Sequence, residues 1–360
     1  MPIPRVTATV DLSAVRHNLQ RVREHAPQSR VMAAIKADAY GHGAIPVART
    51  LAAAGVDAFA VACLEEAVSL REAGIATRIA LLEGVLSRDE AEEAARLNLE
   101  IVIHDRWQLE LLASLPPSTP LAVWFKLDSG MHRLGFPLAE AGSLLAASLA
   151  QPQWRLQGWI THLACADDLD NPMTATQIRA FKATMAYLPG PRSIANSAGL
   201  IAWPEARVDW VRPGLMLYGA SPMPGQTGAD LGLKPAMTVA SRLIAVHEIA
   251  AGETVGYGGT YRCPETMPVG VVAVGYADGV HRILPTGAPV LIGDTRVPII
   301  GRVSMDMITV DLRGLPQAAV GDAVTLWGAG LPVEEVATWA GTLAYELFCG
   351  LTNRVHYRYD

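Results

Sequence analysis

Val31-Met32-Ala33-Ala34-Ile35-Lys36-Ala37-Asp38-Ala39-Tyr40-Gly41-His42-Gly43 opens with five apolar residues and runs into a lysine, a tyrosine and two glycines. An apolar run of that length, without alternation, is the pattern of a strand buried on both faces of a parallel sheet. Similar runs recur at Ala58–Cys63, Ile79–Leu82, Glu100–Ile103, Leu121–Phe125, Leu156–Ile160, Arg192–Ala195 and Val208–Val211. Helical patterns lie between them. Val15, Leu19 and Val22 share one face, as do Trp107, Leu111 and Leu115, and Ser87 with Glu90 predicts a capping box opening a helix over Asp89–Asn98. Eight strands alternating with helices over about 200 residues predict a (β/α)8 TIM-type barrel.

Beyond residue 232 the texture changes. Thr238–Ile249, Glu253–Tyr257, Val269–Tyr276, Pro289–Ile292, Val297–Ile300, Met307–Leu312 and Ala323–Trp327 read as consecutive strands separated by turn pairs such as Gly293-Asp294 and Gly321-Asp322. The expected organisation is a barrel domain over residues 1–232 and a C-terminal, mostly β domain over 233–360, with residues 1–10 a candidate for pairing with the second.

The chain has 360 residues, enough for about two domains at roughly 150 each. With 51% hydrophobic and 18% charged residues it is a folding sequence rather than a disordered one. A net charge of −6 and the absence of a basic tract disfavour nucleic acid as partner. No apolar run reaches the ~18–20 residues of a membrane span, and no apolar signal core precedes Asp11. Cys63, Cys165, Cys263 and Cys349 lie far apart, in neither a disulfide framework nor a metal-binding spacing. A cytoplasmic protein acting on a small molecule, without a metal and without a membrane partner, is the expectation.

In a barrel of this kind, chemistry gathers where strands end. Those ends carry Lys36 to Gly43, Lys126 to Arg133, Thr161-His162, Asn196-Ser197 and Arg212-Pro213-Gly214. Cationic, imidazole and hydroxyl groups therefore meet on one rim and suit an anionic ligand. Lys36 closes an apolar strand, where its amine loses hydration and becomes a candidate Schiff-base former. A lysine snorkelling from a strand end is the alternative. Tyr40 and its glycines weigh towards a phosphate nearby.

The stretch Ala34–Gly43 resembles the pyridoxal-phosphate attachment signature of alanine racemases. Further likeness lies in Lys126-Leu-Asp-Ser-Gly-Met-His-Arg133-Leu-Gly, Trp210-Val-Arg212-Pro-Gly214, Val255-Gly-Tyr257-Gly, Gly275-Tyr276-Ala-Asp-Gly279 and Gly301-Arg302-Val-Ser-Met305-Asp306. The resemblance implies pyridoxal 5'-phosphate held covalently by Lys36, which also serves as one catalytic base. It implies Tyr257 as the base on the opposite face, where alone it would read as an aromatic on a turn. His162 and Arg212 resemble groups linking that tyrosine to the cofactor, Arg212 at the pyridine nitrogen. Unaided, Arg212 reads equally as a capping or surface arginine. Tyr40, Asn196, Ser197, the backbone at Gly214 and Leu215, and Tyr345 resemble the phosphate shell, although Asn196-Ser197 alone could be a helix N-cap pair.

Arg133 and the Met305 N–H match contacts to the substrate carboxylate; Met305 otherwise reads as packing. Tyr276 and Asp306 resemble entry residues from a partner subunit, and Arg282 and Arg302 an outer corridor, though both arginines could be merely solvated. The lysine matching Lys126 can be carbamylated in this family; an ammonium paired with Asp128 is the alternative. Departures fall at Val280-His281 and at Leu163, positions that shape the entrance. The implied activity is interconversion of L- and D-alanine by a homodimer with composite active sites, supplying D-alanine for peptidoglycan or serving its catabolism. A broad-specificity amino-acid or serine racemase is the alternative. A decarboxylase on the same scaffold would not need Tyr257, and a non-catalytic barrel carrier would not need the β domain.

Overall fold

The computed structural model describes residues 4–360. β1 (Thr7–Val10) leads into the helix Leu12–His25, whose N-cap Asp11 accepts from the Ala14 N–H at 3.0 Å. The apolar runs then form β2 (Arg30–Ala34), β3 (Ala58–Val61), β4 (Arg78–Leu81), β5 (Glu100–Ile103) and β6 (Leu121–Asp128). After the two-residue β7 (Phe136–Pro137) come β8 (Trp154–Ile160), β9 (Arg192–Ser193) and β10 (Trp210–Val211). The order β2-β3-β4-β5-β6-β8-β9-β10 is parallel throughout and returns to β2, which closes the expected eight-stranded barrel.

Inside it, Ala58, Ala60 and Ala80 make room for Trp124 and Trp210, whose rings meet edge to face at 5.9 Å. The end where the strands begin is plugged. Glu100 is nearly buried there, paired with Arg78 and accepting from Trp124 Nε1 at 2.7 Å, while Arg30 and Arg78 lie over the Trp210 ring. A desolvated carboxylate satisfied on both oxygens is a structural stopper, so the opposite rim is the one left for ligands.

Two helix details differ from expectation. Ser87 caps Arg88–Arg96 by accepting from Glu90 N–H at 3.2 Å, but the Glu90 carboxylate takes the Leu86 N–H rather than that of Ser87. The helix Arg106–Ala113 buries Gln108 and Leu112, leaving Trp107 exposed. Gln108 wins the inner face because its amide accepts from His104 N–H and donates to the carbonyls of Glu83 and Val85, which need partners there.

The second sheet is built on β11 (Met237–Ile249), which bends through two register shifts. With β12 (Thr254–Val255) and β13 (Tyr261–Arg262) set apart as a small ribbon, the remaining strands are β14 (Met267–Val272), β15 (Pro289–Ile292), β16 (Thr295–Ile300), β17 (Ile308–Asp311) and β18 (Ala323–Trp327). The ring β11-β18-β15-β16-β17-β14 closes back on β11 and is antiparallel at every pairing. β1 runs antiparallel to the first half of β11, and β19 (His356–Tyr359) runs parallel to β1. The runs expected to reach Tyr257 and Tyr276 stop short, since both tyrosines sit in 3-10 turns beyond β12 and β14. Gly256, at φ 73°, breaks the extended backbone before Tyr257, and Tyr276 begins its turn directly after an extended Gly275, so each side chain is presented from a turn rather than from a pleat.

Candidate active site

Every barrel stretch singled out for chemistry stands at a strand's end on the open rim: Lys36 after β2, Lys126 to Arg133 at β6, His162 after β8, Ser197 after β9 and Arg212 after β10. After Lys36 the backbone does something its residues resist. Ala37, Asp38, Ala39 and Tyr40 have φ between 51° and 55°, a left-handed turn without a glycine, at about 1–2 kcal/mol per residue. One long-range and several local hydrogen bonds offset this. Glu66 takes the Ala37 N–H (2.7 Å), Asp38 takes that of Ala44 (2.6 Å), and His42 Nδ1 donates to the carbonyls of Tyr40 (2.9 Å) and Ala39 (3.2 Å). Burial pushes His42 down to about 4, so the imidazole stays neutral in that role.

The turn brings Tyr40 onto Tyr218, ring centroids 5.0 Å apart, and 5.6 Å from Tyr345 on the helix Ala344–Cys349. A Cβ on Gly214 would stand 2.4 Å from the Tyr40 hydroxyl, so the phenol reaches the rim only because residue 214 is glycine. Burial pushes the Tyr345 phenol up to about 12 and that of Tyr40 further still. Both remain protonated donors at neutral pH, and neither is bonded among the described residues. Ser197 Oγ accepts from the N–H groups of Gly214 (2.9 Å) and Met216 (3.4 Å), which leaves its own proton to donate elsewhere. The Leu215 N–H opens the turn Leu215–Tyr218 and has no partner among the described residues, whereas the Leu217 N–H goes to Gly214 O at 2.9 Å. Asn196 is spent differently: its side-chain oxygen caps the helix Ser197–Ala202 at Gly199 (2.9 Å), so only its amide N–H2 is left to face a ligand.

Arg212 is 6% exposed, held by Ser193 Oγ (2.6 Å) and the carbonyl of Thr161 (2.5 Å). Burial lowers its guanidinium to about 10, which is still charged at neutral pH. It also donates to His162 Nδ1 at 3.2 Å. A guanidinium cannot accept, so Nδ1 carries no proton and the neutral ring bears it on Nε2. Burial, followed by the fields of Arg212, Lys126, Arg133 and Lys36, keeps His162 well below its usual range. Sequence reading passed over Gln177, a buried helical amide that takes the Ala164 N–H (2.9 Å) and donates to His162 O (3.0 Å) and Ser129 Oγ (3.3 Å). A glutamine within a helix carries no local signal of such a task.

Lys126, Arg133, Thr161 and His162 line one small cleft with Met131 and Leu134. Burial, then Arg212, Arg133 and Lys36, lower Lys126 to about 8. The expected alternative partner, Asp128, is committed to the N–H groups of Gly130 and His132 and to His132 Nδ1 at 2.8 Å. Lys126 makes no ion pair among the described residues.

The β domain presents the rest. Tyr257 is 70% exposed and Met305 52%, and neither hydrogen-bonds to the barrel rim among the described residues. Tyr276 and Met307 are exposed beside them. Arg282 is exposed, and Arg302 lies against Gly258 in the Tyr257 turn. Asp306 is paired with Arg354 at 2.8 Å. The donor set gathered at this rim, an amine, a hydroxyl, a backbone N–H, a buried guanidinium and the Tyr40 phenol from the barrel with the Tyr345 phenol beside it, fits an aldehyde-bearing aromatic phosphate.

The family described as alanine racemase, N-terminal domain, matches residues 10–222, and alanine racemase, C-terminal domain, matches 236–359. The chain is 51% identical to an alanine racemase of Halorhodospira halophila over 97% of its length and 96% of the relative's. It is 48% identical to a biosynthetic alanine racemase of Pseudomonas aeruginosa over 99% of both. The crystal structure of biosynthetic alanine racemase from Pseudomonas aeruginosa superposes with a TM-score of 0.96 at 47% identity, covering 99% of this chain and 100% of that one. Alanine racemase from Bartonella henselae, solved with covalently bound pyridoxal phosphate, gives 0.91 at 30% identity over 100% of both.

Proposed function

The chain belongs to the alanine racemase family, and from that membership we propose how its own residues interconvert L- and D-alanine. The observation that carries the reading is the Lys36 rim, where unpaired donors surround one amine and a charged, buried Arg212. Lys36 would hold pyridoxal 5'-phosphate covalently, with Tyr40, Tyr345, Ser197 and the Leu215 N–H on its phosphate and Arg212 at its ring nitrogen. When bound, that cofactor supplies an electron sink that acidifies the α-C–H of an amino acid.

The proton work falls to the protein. Lys36 Nζ takes or returns a proton on the D-alanine face. Tyr257 of the partner subunit does so through its phenol oxygen on the L-alanine face. The His162 Nε2–H is left to donate to that phenol. Arg212, charged and donor-only, would donate to the ring nitrogen without protonating it, which would temper the sink and disfavour side reactions. Arg133 and the Met305 N–H of the partner subunit receive the carboxylate, with Tyr276 and Asp306 at the entry and Arg282 and Arg302 further out. The homodimer is supported by Tyr257, Tyr276, Met305 and Met307 standing exposed on a β domain that a second barrel would cover. The proposal includes supply of D-alanine for peptidoglycan in the cytoplasm, of which the biosynthetic relative supports the biosynthetic direction alone.

A panel of L-amino acids tests the reading. Alanine leads and serine trails, because one added group in a tight pocket costs about 10–200-fold. Lysine turned over as fast as alanine would replace it with a broad racemase.

Lys126 gives a second expected result. As pH rises through about 8 its amine becomes neutral, the form that adds carbon dioxide to give a carbamate and release a proton. In 13C-bicarbonate the holoenzyme should show a protein-bound carbamate signal that grows between pH 7 and 9. Lys126→Ala should remove it. No signal at pH 9 would mean that Lys126 stays an unmodified amine.

A further inference from the structure

We infer that Arg354 and Asp278 are positioning residues for the substrate carboxylate, holding the loop Ser304–Asp306 so that the Met305 N–H stays free to receive it. The inference rests on the carboxylate reading of Met305 and Arg133 above.

The loop's three carbonyls, the Ser304 N–H and the Asp306 carboxylate all have partners. The Ser304 carbonyl accepts from Tyr276 N–H and that of Met305 from Ala277 N–H, both at 3.0 Å, and Ser304 N–H donates to Met307 O at 2.9 Å. The Asp306 carbonyl takes Arg5 Nη2 at 2.6 Å, and its carboxylate takes Arg354 Nη2 at 2.8 Å. The Met305 N–H has no partner among the described residues, so it is free to receive an anion. A Cβ on Gly275 would sit 2.3 Å from both the Ser304 and Met305 carbonyls, so the turn bearing Tyr276 is pressed directly against the loop.

Asp278 anchors that turn. It is 2% exposed, accepts the Gly275 N–H at 2.9 Å and pairs with Arg354 Nε at 3.2 Å. A carboxylate so far from water must be paired or displaced. Arg354 satisfies it, with Arg5 Nη2 further off at 3.8 Å, and through Nη2 of the same planar group holds the Asp306 carboxylate. One guanidinium thereby locks the turn behind the loop and the loop's far end in a single geometry, which an ammonium cannot do. Thr352 Oγ1 donates to Ala277 O at 2.7 Å and steadies the approach of Arg354. None of these groups needs to touch substrate.

The experiment uses holoenzymes and two probes that split the substrate: propionate, with a carboxylate and no amine, and ethylamine, with an amine and no carboxylate. Arg354→Ala should raise KM for both alanine enantiomers and the inhibition constant of propionate by about tenfold, while kcat changes far less. Ethylamine binding, followed by the visible absorbance of the cofactor, should not move. Arg354→Lys should recover part of the loss. Equal weakening of both probes, or a fall in kcat at constant KM, would overturn the inference. If Arg354→Ala does not yield folded holoenzyme, Asp278→Asn keeps an oxygen for Gly275 N–H and should give the same split in smaller degree. Arg133→Ala separates the two levels. Propionate binding unaffected by Arg133→Ala defeats the carboxylate reading itself. Propionate weakened by Arg133→Ala but not by Arg354→Ala defeats only the clamp.

Discussion

Lys36→Ala is expected to lower racemisation in both directions by roughly 10⁴-fold, the upper range for a single acid–base group, and to abolish covalent attachment of the cofactor. Two losses coincide at one atom. The Nζ that anchors the cofactor is also the base on the D-alanine face, and the rim offers no amine in an equivalent place. Lys126 is the nearest competitor in kind, but it belongs to the cleft with Arg133 and His162, in the field of three other cations. Borohydride reduction of wild-type holoenzyme followed by peptide mapping should place the reduced cofactor on Lys36. Its appearance on Lys126 would reverse the assignment of the two lysines. The donors around the phosphate are untouched by Lys36→Ala, so the variant should still bind the cofactor noncovalently.

Tyr257→Phe should be comparably damaging, by about 10²–10⁴-fold in either direction, since equilibrium forbids a one-way catalyst. In deuterated solvent it should still exchange the α-hydrogen of D-alanine through Lys36; preferential exchange from L-alanine would reverse the two faces. Mixing it with Lys36→Ala under subunit exchange then tests the composite site. Random pairing puts about half of the chains into mixed dimers, each with one site retaining both bases, so about a quarter of wild-type activity should return. No recovery, with exchange demonstrated, would mean that both bases come from one chain. The exposure of Tyr257 motivates the design, because a phenol 70% open to water is poorly placed to move a proton selectively until another surface covers it.

The barrel was legible because strands buried on both faces leave unbroken apolar runs; Glu100–Ile103 begins and ends where its run does. The rim residues were legible for the same reason, since they follow those runs. β19 was not. His356–Tyr359 is a largely exposed edge strand whose partner β1 lies at the other end of the chain, and no local pattern announces such a pairing. Nor was the left-handed turn after Lys36. Ala-Asp-Ala-Tyr has no conformational reason to adopt it, and the bonds that hold it come from Glu66, Ala44 and His42. Asp306 was read as an entry residue, but its link through Arg354 to Asp278 escaped, because the three meet only when distant parts of the chain come together. Trp107 misled in the opposite direction, as an aromatic that suited the core by type while Gln108 held the place by its hydrogen bonds.

The pairing of β1 with β11 and β19 sets a timetable for synthesis. The ribosome releases β1 before the barrel and its sheet partners after it. Arg5 and Ser241, joined by a hydrogen bond, are 236 positions apart, and Arg5 and Asp306 are 301 apart. At roughly 5–20 residues per second, Val6, Ala8 and Val10 wait on the order of 10–50 s for the surface that buries them, longer than a barrel of adjacent parallel strands needs to begin closing. The nascent barrel therefore carries a short unpaired strand as a tether. The β domain, made last, has to capture that strand before its own sheet is complete, which makes the order of assembly barrel first, seam second.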